Sequence, residues 1–221
     1  MFARGAAPFL ATVWVIAVCM GAVSLLLWPT PARFTGSGIV LLALVIAFIV
    51  TWFFRDPERF PRGPGAVSPA DGTVKRVLRE GERQGISIFM NVYDVHVNRV
   101  PLAGTLARKE YRAGAHIPAF HKDSDRNERL RTFWRTRDGT MQMDQIAGTV
   151  ARRTVAWTEP GERKERGERF GMILFSSRVD LLLPPGYEVC VRVGQHVKAG
   201  ETVIARKVME FPATLPPEIA S

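Results

Sequence analysis

Lysine, aspartate and glutamate are missing from the first 54 of the 221 residues, where Arg4 and Arg33 are the sole charges. That absence excludes a uniformly water-soluble chain. Cysteine is scarce as well: Cys19 in the apolar part and Cys190 in the polar part are too few and too far apart for a disulfide framework or a cysteine zinc centre. No Gly-x-Ser-x-Gly elbow, His-Glu-x-x-His helix, Walker loop or Gly-x-Gly-x-x-Gly turn occurs, so the common hydrolase, metalloprotease and nucleotide sites are excluded and no metal is expected. Aromatic and basic residues are not interleaved as on a base-stacking surface, so no nucleic-acid partner is expected either.

What the N-terminal part does have is length. Residues 6–28 form 23 uncharged positions, enough helix to exceed a hydrocarbon core of roughly 30 Å. Pro29, Pro31, Arg33, Gly36 and Gly38 interrupt the pattern, and residues 39–54 supply a second, shorter apolar run of 16. The pair reads as a transmembrane helical hairpin. A cleaved signal peptide is the competing reading, but the first run is too long for an h-region and lacks a convincing small-x-small site before the second run. Arg4 precedes the hairpin and Arg55, Arg59 and Arg62 follow it, so the positive-inside rule puts both ends in the cytoplasm, at the cell inner membrane.

The chain then divides into an anchor (1–54), a Pro- and Arg-rich juxtamembrane linker (55–67) and a body (68–221). Of the net charge of +9, +7 belongs to the part after residue 54, which suits an anionic membrane surface or substrate. Apolar and β-branched runs at 72–77, 86–92, 95–100, 148–156, 171–175, 179–183 and 188–193 are bounded by Gly, Pro or Asp-Gly and predict strands. The body is therefore mainly β, a barrel-like or sandwich-like unit. Residues 123–134 are the one stretch with a weak helical pattern, inside an irregular excursion over 114–135. Val193-Gly194-Gln195-His196-Val197-Lys198-Ala199-Gly200-Glu201-Thr202-Val203 has the spacing of a tight turn between strands and resembles the sandwiched hairpins of lipoyl domains. A membrane-tethered, lipoyl-like adaptor or carrier module is thus an alternative, although the Met-Lys pair that such hairpins modify is lacking.

Three segments carry candidate chemistry. Asp94, His96 and Asn98 alternate with Val95 and Val97, which on a strand places the three polar side chains on one face. Such a face can serve acid–base chemistry; an ordinary solvated strand face is the plain alternative. Asp71-Gly72 suits a turn as readily as a site, and Ser176-Ser177 lies between two apolar runs.

Read in order, Phe54-Arg55-Asp56-Pro57-Glu58-Arg59-Phe60-Pro61, Ser68-Pro69-Ala70-Asp71-Gly72-Thr73-Val74, Asp94-Val95-His96-Val97-Asn98-Arg99-Val100-Pro101, Asn127-Glu128-Arg129, Gln145-Ile146-Ala147-Gly148, and Arg169 to Ile173 followed by Ser177-Arg178-Val179-Asp180 resemble the phosphatidylserine decarboxylase family, short prokaryotic form. The resemblance implies a lyase that makes its own cofactor. Ser177 would attack the preceding carbonyl, the chain would be cut between Ser176 and Ser177, and Ser177 would become a covalent pyruvoyl group that forms a Schiff base with phosphatidylserine. Two fragments, 1–176 and 177–221, would remain together as a heterodimer; a homo-oligomer is left open. Gly usually precedes the family's serine, and here Ser176 offers a second hydroxyl, so cleavage after Phe175 is the minority reading. By the same resemblance Asp71 orients a base, and His96 is that base or the donor that protonates the product. Longer members carry a second His where Arg99 stands, which leaves His116 or His121 to supply it; His196 reads as an ordinary turn residue. The 15 basic and 10 acidic residues over 108–169 include no identifiable headgroup ligands.

Overall fold

A computed structural model describes residues 1–26, 33–114, 127–148, 154–174 and 177–208. Two helices come first, α1 (Ala7–Leu26) and α2 (Arg33–Phe53), and each contains 20 residues long and apolar enough to cross a bilayer. They run antiparallel as a hairpin. Trp14 Nε1 on α1 donates to Thr51 Oγ1 on α2 at 3.1 Å, and Phe9 stacks on Phe54 at 5.4 Å. Most of their apolar side chains face outward with no protein cover, as for Leu25, Leu26 and Phe48. The second helix begins earlier than the sequence pattern suggests and takes in Gly36 and Gly38. At Gly36 the reason is close packing, since a Cβ there would lie 3.0 Å from Ser24 Oγ on α1.

The chain ends of the hairpin meet. Ala3 N–H donates to the Phe54 carbonyl at 2.9 Å and Asp56 N–H to the Met1 carbonyl at 2.8 Å, so residues 1–6 run beside 54–56. Asp56 then enters the body as a buried acid between Arg99 (3.2 Å) and Arg169 (2.5 Å). Arg59 is bound to Asp71 (3.0 Å) and Glu201 (3.3 Å), which docks this stretch onto the body.

The described body holds fourteen strands: β1 (Ala66–Val67), β2 (Gly72–Glu80), β3 (Arg83–Met90), β4 (Val97–Arg99), β5 (Gly104–Arg112), β6 (Arg129–Thr136), β7 (Gly139–Ala147), β8 (Thr154–Ala156), β9 (Arg163–Lys164), β10 (Arg169–Ile173), β11 (Ser177–Leu182), β12 (Tyr187–Val189), β13 (His196–Val197) and β14 (Val203–Lys207). Eight form one sheet in the order β13-β2-β3-β11-β7-β6-β5-β9, and two three-stranded sheets, β1-β14-β12 and β4-β10-β8, complete the unit. The mainly β body with a two-helix N-terminal hairpin is as the sequence implies. The weak helical pattern over 123–134 is not realised where it is described, because residues 129–134 belong to β6. There Leu130, Thr132 and Trp134 alternate inward while Arg129 and Arg131 reach Asp144 on β7. That pairing, with Trp134 edge-on to Phe170 in the core, outweighs the helical tendency of the arginines.

Strand β11 is central. Ser177, Val179 and Leu181 point into the core with no exposed surface, and the strand is held on one side by β3 (Ser177 opposite Met90) and on the other by β7 (Ser177 opposite Ala147). Beside it, the turn from Ser68 to Gly72 requires glycine at its end: Gly72 has φ +142° and a Cβ there would lie 2.2 Å from the Phe89 carbonyl oxygen.

Candidate active site

Ser177 opens β11 with its hydroxyl fully buried and without a hydrogen-bond partner among the described residues. An unpaired buried hydroxyl costs about 1–3 kcal/mol and is rare unless something uses it. Because directly opposite residues of neighbouring strands project to one face, Ser177 shares its face with Met90 and with Gln145, which stands two residues from Ala147. Both neighbours touch Asn98: Gln145 Nε2 donates to Asn98 Oδ1 at 2.7 Å, and Asn98 Nδ2 approaches Met90 Sδ at 3.8 Å and the Pro69 carbonyl at 3.4 Å. Gln145 Oε1 is a further buried acceptor with no partner. A buried, hydrogen-bonded pair of amides, Asn98 and Gln145, thus lies on the face that Ser177 presents.

His96 comes in on the chain segment leading into β4. Its carbonyl accepts from Ile173 N–H at 3.3 Å, which ties it to β10 four residues before Ser177. The ring is buried, 4.3 Å from the Phe53 ring at the end of α2, inside an apolar cluster with Phe54, Val95, Val97 and Met172. Its Nδ1 faces the Asp94 carbonyl at 2.9 Å, and a carbonyl only accepts, so Nδ1 carries the proton and Nε2 is the lone-pair nitrogen. Nε2 is buried without a partner. Burial lowers the pKa from 6.5 to about 4; the nearby Arg55 charge adds to this, and the Asp94 carbonyl and carboxylate oppose it. At neutral pH His96 is therefore an uncharged proton acceptor.

The alternation of Asp94, His96 and Asn98 gives burial rather than a solvated face, since all three are at most 6% exposed. Only Asn98 lies in a strand, however. Asp94 sits in the preceding turn, where its carboxylate accepts from Asn91 N–H at 2.8 Å and faces His196 Nε2 at 3.0 Å. His196, read from sequence as a turn residue, lies on β13 opposite Thr73, and the long-range Asp94–His196 pair has no local signal. Asp71 touches no imidazole among the described residues: one oxygen binds Arg59 and the other accepts from Ala199 N–H at 2.7 Å. Arg99 is clamped by Asp56 and by the carbonyls of Gly167 and Pro57 (both 2.9 Å), a structural role. Ser176, His116 and His121 lie outside the described residues. No cluster of metal-ligating side chains occurs among the described residues.

Fold and site together define a mainly β protein with an N-terminal pair of apolar helices, a buried serine hydroxyl and a neutral, buried imidazole nitrogen, neither with a hydrogen-bond partner among the described residues. Residues 46–205 match the phosphatidylserine decarboxylase family. A phosphatidylserine decarboxylase proenzyme of Streptomyces coelicolor is 46% identical over 208 residues, covering 92% of this chain and 91% of its own. One from Thermobifida fusca is 43% identical over 206 residues, with 92% of both chains covered. A Halobacterium salinarum protein provisionally named archaetidylserine decarboxylase proenzyme is 49% identical over 173 residues, 76% of this chain and 85% of its own. The chain belongs to the phosphatidylserine decarboxylase family and is an enzyme of that kind. The carrier-module alternative falls with that assignment, although within 193–203 a turn over 198–202 does connect β13 to β14.

Proposed function

We propose that this protein is a self-processing decarboxylase that converts phosphatidylserine to phosphatidylethanolamine and carbon dioxide. Residues 1–54 anchor it in the cell inner membrane, with the body on the cytoplasmic face. The observation that carries this reading is the buried Ser177 hydroxyl with no partner, at the mouth of a central strand of a chain whose relatives are named proenzymes.

Ser177 Oγ attacks the carbonyl carbon of residue 176 while His96 Nε2 takes the hydroxyl proton and returns it to the departing backbone nitrogen, leaving an ester. Loss of the Ser177 α-proton then expels the carboxylate of residue 176 by β-elimination. Water replaces the nitrogen of the dehydroalanine, ammonia leaves, and residue 177 ends as a pyruvoyl group. The fit rests on the Ser177 hydroxyl, without a partner among the described residues, on the same face as the Asn98–Gln145 amide pair, which supplies groups to orient carbonyl oxygens. A pyruvoyl group at residue 177 would supply a ketone for the substrate amine and an electron sink for decarboxylation. His96, held neutral by burial, handles the proton. Asp71 acts at one remove: it pins Ala199, and so the turn carrying His196, whose contact with Asp94 holds the carbonyl that fixes the His96 tautomer.

The two fragments stay joined through the sheet. Residues 177–208 contribute β11, β13 and β14, which pair with β3 and β7, with β2, and with β1 of the larger fragment. Intact mass of the purified protein is the test: two chains are expected, the smaller starting at residue 177 and modified by hydroxylamine or by borohydride with an amine. A single unreactive chain refutes the reading. Ser177→Ala abolishes cleavage and activity, whereas Ser176→Ala spares them; the reverse moves the cut by one residue. The archaeal relatives favour a second reading, in which the same serine headgroup is taken on an archaeal lipid. Lipid extracts of cells lacking the gene separate the two by which serine lipid accumulates.

A further inference from the structure

A cleft of about 420 Å³ lies beside the paired ends of the anchor, and the reaction described above leaves it unused. Its wall runs from Phe2 and Arg4 across Asp56 and Arg169 to Thr158 and Lys164. Thr158 is fully buried and its Oγ1 has no hydrogen-bond partner, although it lines an open cleft. A buried hydroxyl in that position lacks an acceptor. The acids of the wall are already neutralised: Asp56 lies between Arg99 and Arg169, and Glu168 is bound to Lys164 at 2.8 Å. Arg4 is exposed and makes no ion pair with any described residue, so the uncompensated charge is positive.

Position narrows the ligand. Residues 1–6 run beside 54–56, so the cleft opens at the level where α1 begins and α2 ends. If the hairpin spans the bilayer, this is the depth of phospholipid headgroups. Phe2, half exposed at the mouth, adds an apolar contact at the same level. An unpaired guanidinium, an unpaired hydroxyl donor and an adjacent apolar ring suit an anionic phosphodiester carrying acyl chains. Trp157, which also lines the cleft, packs against the apolar cluster that contains Phe53, whose ring lies 4.3 Å from that of His96.

We propose that this cleft binds the headgroup phosphodiester of one anionic glycerophospholipid, with Arg4 as its charged partner and Thr158 as its hydroxyl donor. The proposal rests on the anchor being a membrane hairpin. The test uses the full chain as Ser177→Ala, which leaves phosphatidylserine intact, in nanodiscs of phosphatidylcholine doped with phosphatidylglycerol or phosphatidylserine, and counts retained lipid by native mass spectrometry. One anionic lipid per chain is expected. Arg4→Gln and Thr158→Val each weaken retention about ten-fold, the order expected for losing a hydrogen bond to a charged group, and Thr158→Ser restores it. If phosphatidylserine alone is retained and Arg4→Gln in the otherwise unaltered enzyme raises KM with kcat unchanged, the bound lipid is substrate on its way to the site. If both lipids are retained alike and KM does not move, it is a resident lipid. Retention equal to the parent in both variants, at unchanged melting temperature, overturns the proposal. Failure of the parent chain to float with vesicles would instead refute the membrane reading of the anchor.

Discussion

Asp56 joins the anchor to the body, and removing it tests whether the two are one cooperative unit. The carboxylate is 2% exposed and lies between Arg99, 4% exposed, and the partly exposed Arg169. In Asp56→Ala, Arg169 keeps Glu58 at 2.9 Å and loses little. Arg99 keeps the Gly167 and Pro57 carbonyls but no counter-ion, so its charge stays buried without compensation. Breaking a buried pair from one side costs about 3–5 kcal/mol, and the two remaining carbonyls put this case at the low end, about 3 kcal/mol. For a chain of this size each kcal/mol lowers the melting temperature by about 2–4 °C, giving a fall of about 6–12 °C. Thermal unfolding of parent, Asp56→Ala, Arg99→Met and the double variant in detergent micelles checks this. The double variant melts above Asp56→Ala, because removing the stranded charge relieves the main cost. A fall of less than about 2 °C in Asp56→Ala, or a double variant that loses the sum of the single effects, refutes the reasoning.

Two further outcomes follow from single residues. The pKa of His96 falls from 6.5 unfolded to about 4 folded, so the fold favours the neutral ring. That stability is fully present above pH 6.5 and is lost as pH falls toward 4, amounting to about 3 kcal/mol at pH 4; the melting temperature of His96→Gln is accordingly less acid-sensitive than the parent's between these limits, and parallel curves would contradict the burial argument. Gly200 has φ +69° and a Cβ there would lie 2.5 Å from Arg99 Cδ. Gly200→Ala therefore costs about 1–2 kcal/mol in backbone strain before any clash and disturbs the Arg99 clamp, read as a lowered melting temperature; an unchanged one would mean that the turn is not held as described.

The two N-terminal helices were the most legible part of the sequence, because their signal is the absence of charge over lengths that suit a long helix. The misjudged boundary is instructive: Gly36 and Gly38 look like breakers in a single strand of text, yet Gly36 is what lets α2 approach Ser24 on α1. β2, β3, β10 and β11 were legible in the same way, from apolar runs bounded by turn residues, whereas β5 and β7, the latter flanking Ser177, fall outside those runs and β6 was hidden by arginines whose purpose appears only when Asp144 is placed opposite them.

For the site, local text and spatial partnership separate. Motif resemblance picks out Asp71, His96 and Ser177, but their surroundings are set by sheet register. Asn98 meets Gln145 from 47 residues away, and Asp94 meets His196 from 102. A lone histidine in a Gly-rich turn has nothing in its own neighbourhood to distinguish it from a solvated one; it acquires a carboxylate because β13 pairs with β2 and brings it over the turn that holds Asp94. Conversely, Arg99 offers no proton acceptor beside His96, being claimed by Asp56 just after the second helix. If an imidazole beyond His96 takes part in processing, the described residues offer His196, and it would act through Asp94 and the Asp94 carbonyl rather than on Ser177 directly.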